Sequence, residues 1–230
     1  CGAAAGTVVV NQVPVSGGGL SRTSQLWQDP SGQGNDLDGD SVCWADFTLS
    51  AQTTITHLEW WGAGACESGF QIEFWKQDPG TIAYQPWAVF YYGGGQTVTP
   101  EAMFQTTAFT TSPGPGGINH YVLDMPNMVT LPANTAANPR WFVGIVGLTT
   151  VQYAQWKWAQ GTGGTGQTFQ FIRGYGGGGP WFHAFGEGRA LEMEGISAAP
   201  PCYANCDGST AAPVLNVNDF SCFMNLYAAG

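Results

Sequence analysis

Phe70-Gln71-Ile72-Glu73-Phe74-Trp75-Lys76, with Asp78-Pro79-Gly80 close behind it, decides the fold class of this chain. Phe70, Ile72 and Phe74 alternate with polar residues, so on an extended backbone they fall on one face. The Pro-Gly pair then stops the strand with turn chemistry. The same grammar of short β-branched or aromatic runs, separated by glycine and proline, repeats along most of the sequence. Working outward, strands are expected at residues 7–15, 45–49, 54–61, 70–76, 87–92, 102–109, 118–123, 141–148, 152–158 and 190–195. No helical period is legible before residue 218. These signals imply an all-β fold, an antiparallel β-sandwich or jelly roll, with a small C-terminal loop–helix appendage.

Composition narrows the function classes. Charged residues make up 10% of the 230, and 6 Lys+Arg stand against 16 Asp+Glu for a net charge of −10. The few cations are scattered along the sequence, which argues against nucleic acid as a partner. The same balance disfavours anionic membrane surfaces and suits calcium, neutral glycans or self-association. No apolar run is long enough to span a bilayer, for which about 18 residues are needed. Six cysteines point to an oxidising compartment, hence a secreted protein, extracellular or at the cell surface. No signal peptide is visible, so the numbering is expected to begin near a mature N-terminus, with a lipidated Cys1 as the alternative.

Composition breaks at Ser197-Ala198-Ala199-Pro200-Pro201, small residues ending in a double proline that make a stiff linker. The expected organisation is a sandwich domain over residues 1–196, a linker over 197–201 and a tail over 202–230. In the tail Phe220, Phe223, Met224 and Tyr227 fall at i, i+3, i+4 and i+7, one apolar stripe of a helix. Asn218 is placed to cap that helix and Gly230 to end it.

The tail run CYANCDGSTAAPVLNVNDFSCFMNLYAAG resembles the dockerin-type repeats at the C-termini of many secreted bacterial proteins, in particular the GC-type dockerins. That resemblance implies a calcium-stabilised, EF-hand-like loop–helix unit for anchoring or docking. Asn205, Asp207 and Asp219 match the family's calcium-ligand pattern, with Asn216 as a water-mediated contributor. The run departs from the pattern at Tyr203, where an acid is usual, in a loop lengthened by residues 209–214, and in holding a single repeat. More loosely, Ala45-Asp46-Phe47-Thr48-Leu49, Glu59-Trp60-Trp61-Gly62, the strand from Phe70 to Trp75 and Leu191-Glu192-Met193-Glu194-Gly195 resemble the β-sandwich modules that accompany such tails. Those modules have no assigned activity.

Four further constellations carry expectations. Asp36, Asp38 and Asp40, with Asp46 further on, concentrate carboxylates in a loop entering a strand, a second candidate calcium site. Trp60, Trp61, Trp156, Trp158 and Trp181 are candidates for stacking on sugar rings or filling an interface. Adjacent residues on a strand point to opposite faces, so one of Trp60 and Trp61 must leave the core, whereas Trp156 and Trp158 share a face. Glu59 and Glu73, expected on neighbouring strands, form a carboxylate pair of the kind that serves glycoside hydrolysis. His57, His120 and His183 lack metal-ligand spacing, and no catalytic residue is assigned.

The six cysteines allow fifteen pairings. Cys43 with Cys66 would bracket the first sandwich strands, Cys206 with Cys222 would staple loop to helix, and Cys1 with Cys202 would tie the N-terminus to the linker. Bridges from Cys1 or Cys202 to a neighbouring molecule are the alternative. Two function classes remain. The first is a non-enzymatic structural subunit that associates with copies of itself in a surface layer, filament or matrix. The second is a secreted module that binds polysaccharide and is anchored through its tail.

Overall fold

The computed structural model describes residues 6–31, 39–80, 85–93, 97–173, 179–197 and 217–229. It divides into a unit spanning Ala5–Ser197 and a second unit of Cys1–Ala4 with Ala198–Gly230. Among the described residues of the first unit the strands are β1 (Thr7–Pro14), β2 (Arg22–Thr23), β3 (Gln25–Trp27), β4 (Ser41–Phe47), β5 (Thr53–Gly64) and β6 (Phe70–Lys76). A short helix, α1 (Ala88–Gly93), follows. Then come β7 (Ala102–Thr106), β8 (Thr110–Pro113), β9 (Asn119–Leu131), β10 (Trp141–Thr149), β11 (Trp156–Trp158), β12 (Gln160–Thr162), β13 (Thr168–Ile172), β14 (Trp181–Phe185), β15 (Gly188–Arg189) and β16 (Leu191–Ser197).

Two sheets face each other, as an all-β sandwich requires. In the first, β5 is the axis: β9 pairs along its whole length on one side, and β16 and then β11 pair on the other. The sheet extends through β8 beyond β9, through β1, β12 and β15 beyond β16, and through β2 beyond β11. The second sheet runs β14-β13-β4-β3-β10-β6-β7, antiparallel throughout except for β3 against β10. Its strand β6 keeps the bounds that its alternation and turn chemistry imply.

Side chains between the sheets form the main core. Ile55, Leu58 and Trp60 of β5 meet Phe70, Ile72 and Phe74 of β6, with Trp156 and Trp158 of β11 and Trp141 of β10 beside them. Trp60 lies flat on Tyr121 at 5.6 Å, and Phe70 stands edge-on to both Trp60 and Trp156 at 5.1 and 5.0 Å. Two glycines make room for Trp156: a Cβ at Gly62 would lie 2.4 Å from its ring and one at Gly147 2.6 Å from its Cβ.

A second apolar cluster covers the outer face of the second sheet. Trp44, Trp75, Phe142 and Phe171 there pack under Ala88, Val89 and Tyr92 of α1. This explains why β4 and β10 are buried along their whole length, as strands covered on both faces must be. It also corrects one expectation. Residues 87–92 were expected as a strand because they are aromatic and β-branched, yet from residue 88 they form a helix whose Ala88, Val89 and Tyr92 share one buried face. Burial of that face against the sheet outweighs the local β preference.

In the second unit the described element is α2 (Val217–Ala229). The helix begins at Val217, so Asn218 lies inside the first turn instead of ahead of it. Asp219 occupies that first turn and is buried, where a carboxylate complements the positive helix end. Of the expected stripe, Phe220, Met224 and Tyr227 are exposed.

Candidate functional site

The structure redistributes the tryptophans. Trp60, Trp156 and Trp158 are fully buried in the sandwich core, so as glycan-stacking residues they are corrected: their rings meet protein on all sides. Trp61 does leave the core, on the outer face of the first sheet, and lies flat against His120 at 4.5 Å. Trp181, on β14, is 47% exposed. Glu59 and Glu73 are also corrected as a pair, because β5 and β6 belong to different sheets and the two carboxylates occupy the outer faces of opposite layers.

The cysteine and metal expectations divide similarly. Cys43 and Cys66 are free thiols, which corrects their expected pairing. Cys43 is sealed in the core, its Sγ against the Thr23 carbonyl at 3.2 Å, and burial pushes its thiol up to about 12. Cys66 contacts the Tyr121 hydroxyl at 3.7 Å, and burial raises its thiol as well. Cys222 is disulfide-bonded. Its expected partner Cys206, with Cys1 and Cys202, lies outside the described residues, as do Asp36, Asp38, Asn205, Asp207 and Asn216. Asp40 is buried and accepts the Trp27 amide at 2.8 Å. Asp46 sits towards the other end of β4, where Arg140 and Thr165 donate to it. Among the described residues no group of three or more His, Cys, Asp or Glu is placed to hold a metal ion.

Sequence reasoning missed a groove beside α1. It has a volume of about 380 Å³, within the roughly 300–1,000 Å³ of small-ligand pockets. Trp27 and the exposed Tyr91 bring aromatic rings to it, and Gln28, Gln71 and Gln105 bring amides. The amides continue inward as a chain. Gln28 donates to Gln105 at 3.4 Å, Gln105 to Gln71 at 3.5 Å, and Gln71 to Tyr92 and Glu73 at 2.9 and 3.2 Å. At its end the Glu73 carboxyl, fully buried, also accepts from the Tyr92 hydroxyl at 2.8 Å and the Trp44 indole at 2.5 Å. Burial pushes Glu73 up to about 7 against the pull of those three donors. Register accounts for the assembly: Gln71 and Glu73 alternate with core residues on β6, and Gln105 pairs with Gln71 across β7. The groove is not legible in the sequence because it depends on α1, whose residues carry local β preference, and on the register of β6 with β7.

Strand β14 is a second unusual feature. It forms one edge of the second sheet, paired to β13 alone among the described strands. Its sequence, Trp181-Phe182-His183-Ala184-Phe185, carries no carboxylate, lysine, arginine or internal proline, and all but Phe185 are exposed. Proteins usually blunt such edges with charge, proline, bulges or a covering loop.

On the outer face of the first sheet, Glu59 holds two histidines, with His120 Nε2 at 2.7 Å and His57 Nε2 at 3.1 Å. The other His57 nitrogen lies 2.8 Å from Asp124. Burial alone would lower His57, but hydrogen bonds to Asp124 and Glu59 overcome it and hold the imidazole above its ordinary range. Neighbouring Glu192 is raised by burial and by the carboxylates of Glu59 and Glu194. No family model, curated protein or solved structure matches the chain.

Proposed function

We propose that this chain is a non-enzymatic, secreted structural subunit that associates with copies of itself, with its C-terminal helix as an additional contact element. The outer edge of β14, which no other described strand pairs, carries the reading. An aromatic edge strand without carboxylate, lysine or arginine offers amide and carbonyl groups to a strand of a neighbouring molecule, and β-augmentation supplies main-chain hydrogen bonds without a deep pocket. The exposed Phe220, Met224 and Tyr227 of α2 suit the contact role that the dockerin-like resemblance implies. Placing charge on the edge tests the idea. Sedimentation velocity should show large assemblies for the wild-type protein and a monomer for Trp181→Lys/Ala184→Lys. A monodisperse wild-type monomer across salt and calcium concentrations sinks the reading.

A second reading is favoured by the groove beside α1. Aromatic faces beside amide groups suit a neutral sugar, whose C–H faces stack on rings while its hydroxyls exchange hydrogen bonds with amides. On this reading Tyr91→Ala abolishes retention on a neutral polysaccharide, whereas a wild-type protein retained on no neutral glycan removes it.

A further inference from the structure

The chain's cations lie far apart in sequence, yet the fold brings three of the six to one place. Arg22, Lys157 and Arg173 line a slot of about 350 Å³ to which no carboxylate among the described residues contributes. For a chain of net charge −10 this is a local inversion of sign.

The slot opens where the two sheets meet. Its strands β2 and β11 come from the first sheet, and β4 and β13 from the second. The seam is fastened by the Thr23 carbonyl, which accepts from Ser41 Oγ at 2.9 Å and Gln170 Nε2 at 2.8 Å. Ser41 and Gln170 are buried, so the floor is rigid and polar. Arg22 is fixed by ion-pairing with Glu187 and by lying 3.6 Å over the Phe185 ring. Lys157 and Arg173 have no carboxylate partner among the described residues. Among the described residues, then, two cations without a carboxylate partner face a slot whose remaining donors are hydroxyls and amides.

We infer that this slot binds the oxyanion groups, sulfate esters or carboxylates, of an acidic sugar chain. A guanidinium fork matches such a group with two parallel N–H donors, and an ammonium beside it adds a point charge. The lining distinguishes a sugar from a protein partner. Protein interfaces centre on apolar side chains, but here Ile172 is the one aliphatic residue among Ser21, Thr23, Ser41, Gln155 and Gln170. Nucleic-acid binding engages more phosphates than three cations can meet and is opposed by the overall charge. The inference is independent of the assembly reading and of the groove beside α1.

Calorimetric titration of the full chain decides it, with a sulfated oligosaccharide, its desulfated parent, a polyuronate oligosaccharide and an Asp/Glu-rich peptide as probes. The expected result is binding of the sulfated or uronate probe roughly tenfold or more tighter than the neutral parent, weakening as salt rises. Lys157→Gln/Arg173→Gln should lose that preference with its melting midpoint kept, and Lys157→Gln alone should lose part of it. Equal affinity for charged and neutral sugars, tighter binding of the peptide, no binding of either acidic sugar, or unaltered binding by the double variant would each overturn the inference.

Discussion

Tyr92 on α1 donates its hydroxyl to Glu73 on β6 at 2.8 Å, and this bond fastens the helix to the outer face of the second sheet. Because Glu73 titrates near 7 in the fold against 4.5 for an ordinary glutamate, the native state holds a proton that the unfolded chain has already released. Stability from this group is therefore fully present below pH 4.5 and is lost as pH rises towards and through 7, by about 3 kcal/mol in all. The raised His57 acts with the same sign around and above neutrality. Urea melts should give a higher midpoint at pH 5 than at pH 8, and Glu73→Gln should flatten that dependence. A midpoint that rises with pH would contradict the buried, proton-holding carboxyl.

Gly144 makes the Glu73 position possible. It sits on β10 between Glu73 and Trp44, and a Cβ there would lie 2.7 Å from Glu73 Cγ and 2.8 Å from its Oε1. Gly144→Ala is expected to destabilise by roughly 1–3 kcal/mol through overpacking. In a double-mutant cycle, Glu73→Ala should absorb much of that cost, because it removes the atoms that the new methyl meets. Strict additivity would show that the glycine serves another purpose.

What the sequence discloses follows from the range of the interactions involved. Alternation over Phe70–Lys76 is a local signal, and the strand appears with those bounds. Residues 87–92 carry equally strong local preferences, but the sheet beneath them decides in favour of a helix. The period-two rule shows that Trp60 and Trp61 part company without saying which is buried, since that depends on which face meets the other sheet. Trp156 and Trp158 share a face as expected, but it is the core face, fitted by Gly62 and Gly147 from two other strands. Arg22, Lys157 and Arg173 look scattered until strand pairing closes the distance between them. The amide chain to Glu73 likewise needs the register of β6 with β7.

Cys43 and Cys66 are expected to behave as thiols of opposite accessibility. Cys43 is shut in the core with its thiol raised to about 12, so iodoacetamide at pH 8 should label it only after unfolding. Cys66 is half-buried and should react slowly in the native protein. Peptide mapping by mass spectrometry reads both, and a Cys43–Cys66 disulfide in the purified protein would refute the arrangement. Reductant should leave the sandwich melting midpoint unchanged, because any loss falls on the unit that contains Cys222.

Two tryptophans separate folding from association. Trp156 is wholly enclosed, edge-on to Phe70 and fitted by two glycines, so Trp156→Ala should cost roughly 3–5 kcal/mol through the cavity it leaves. Trp181 stands on the edge strand of the described second sheet and is 47% exposed, so Trp181→Ala should change monomer stability by no more than about 0.5 kcal/mol. The order reverses in an assembly assay. Sedimentation at a temperature where both variants stay folded should show Trp181→Ala shifted towards monomer and Trp156→Ala assembling like the wild type. If Trp181→Ala assembles undiminished, the aromatic side chain of β14 contributes nothing to the contact, and association must run through another surface.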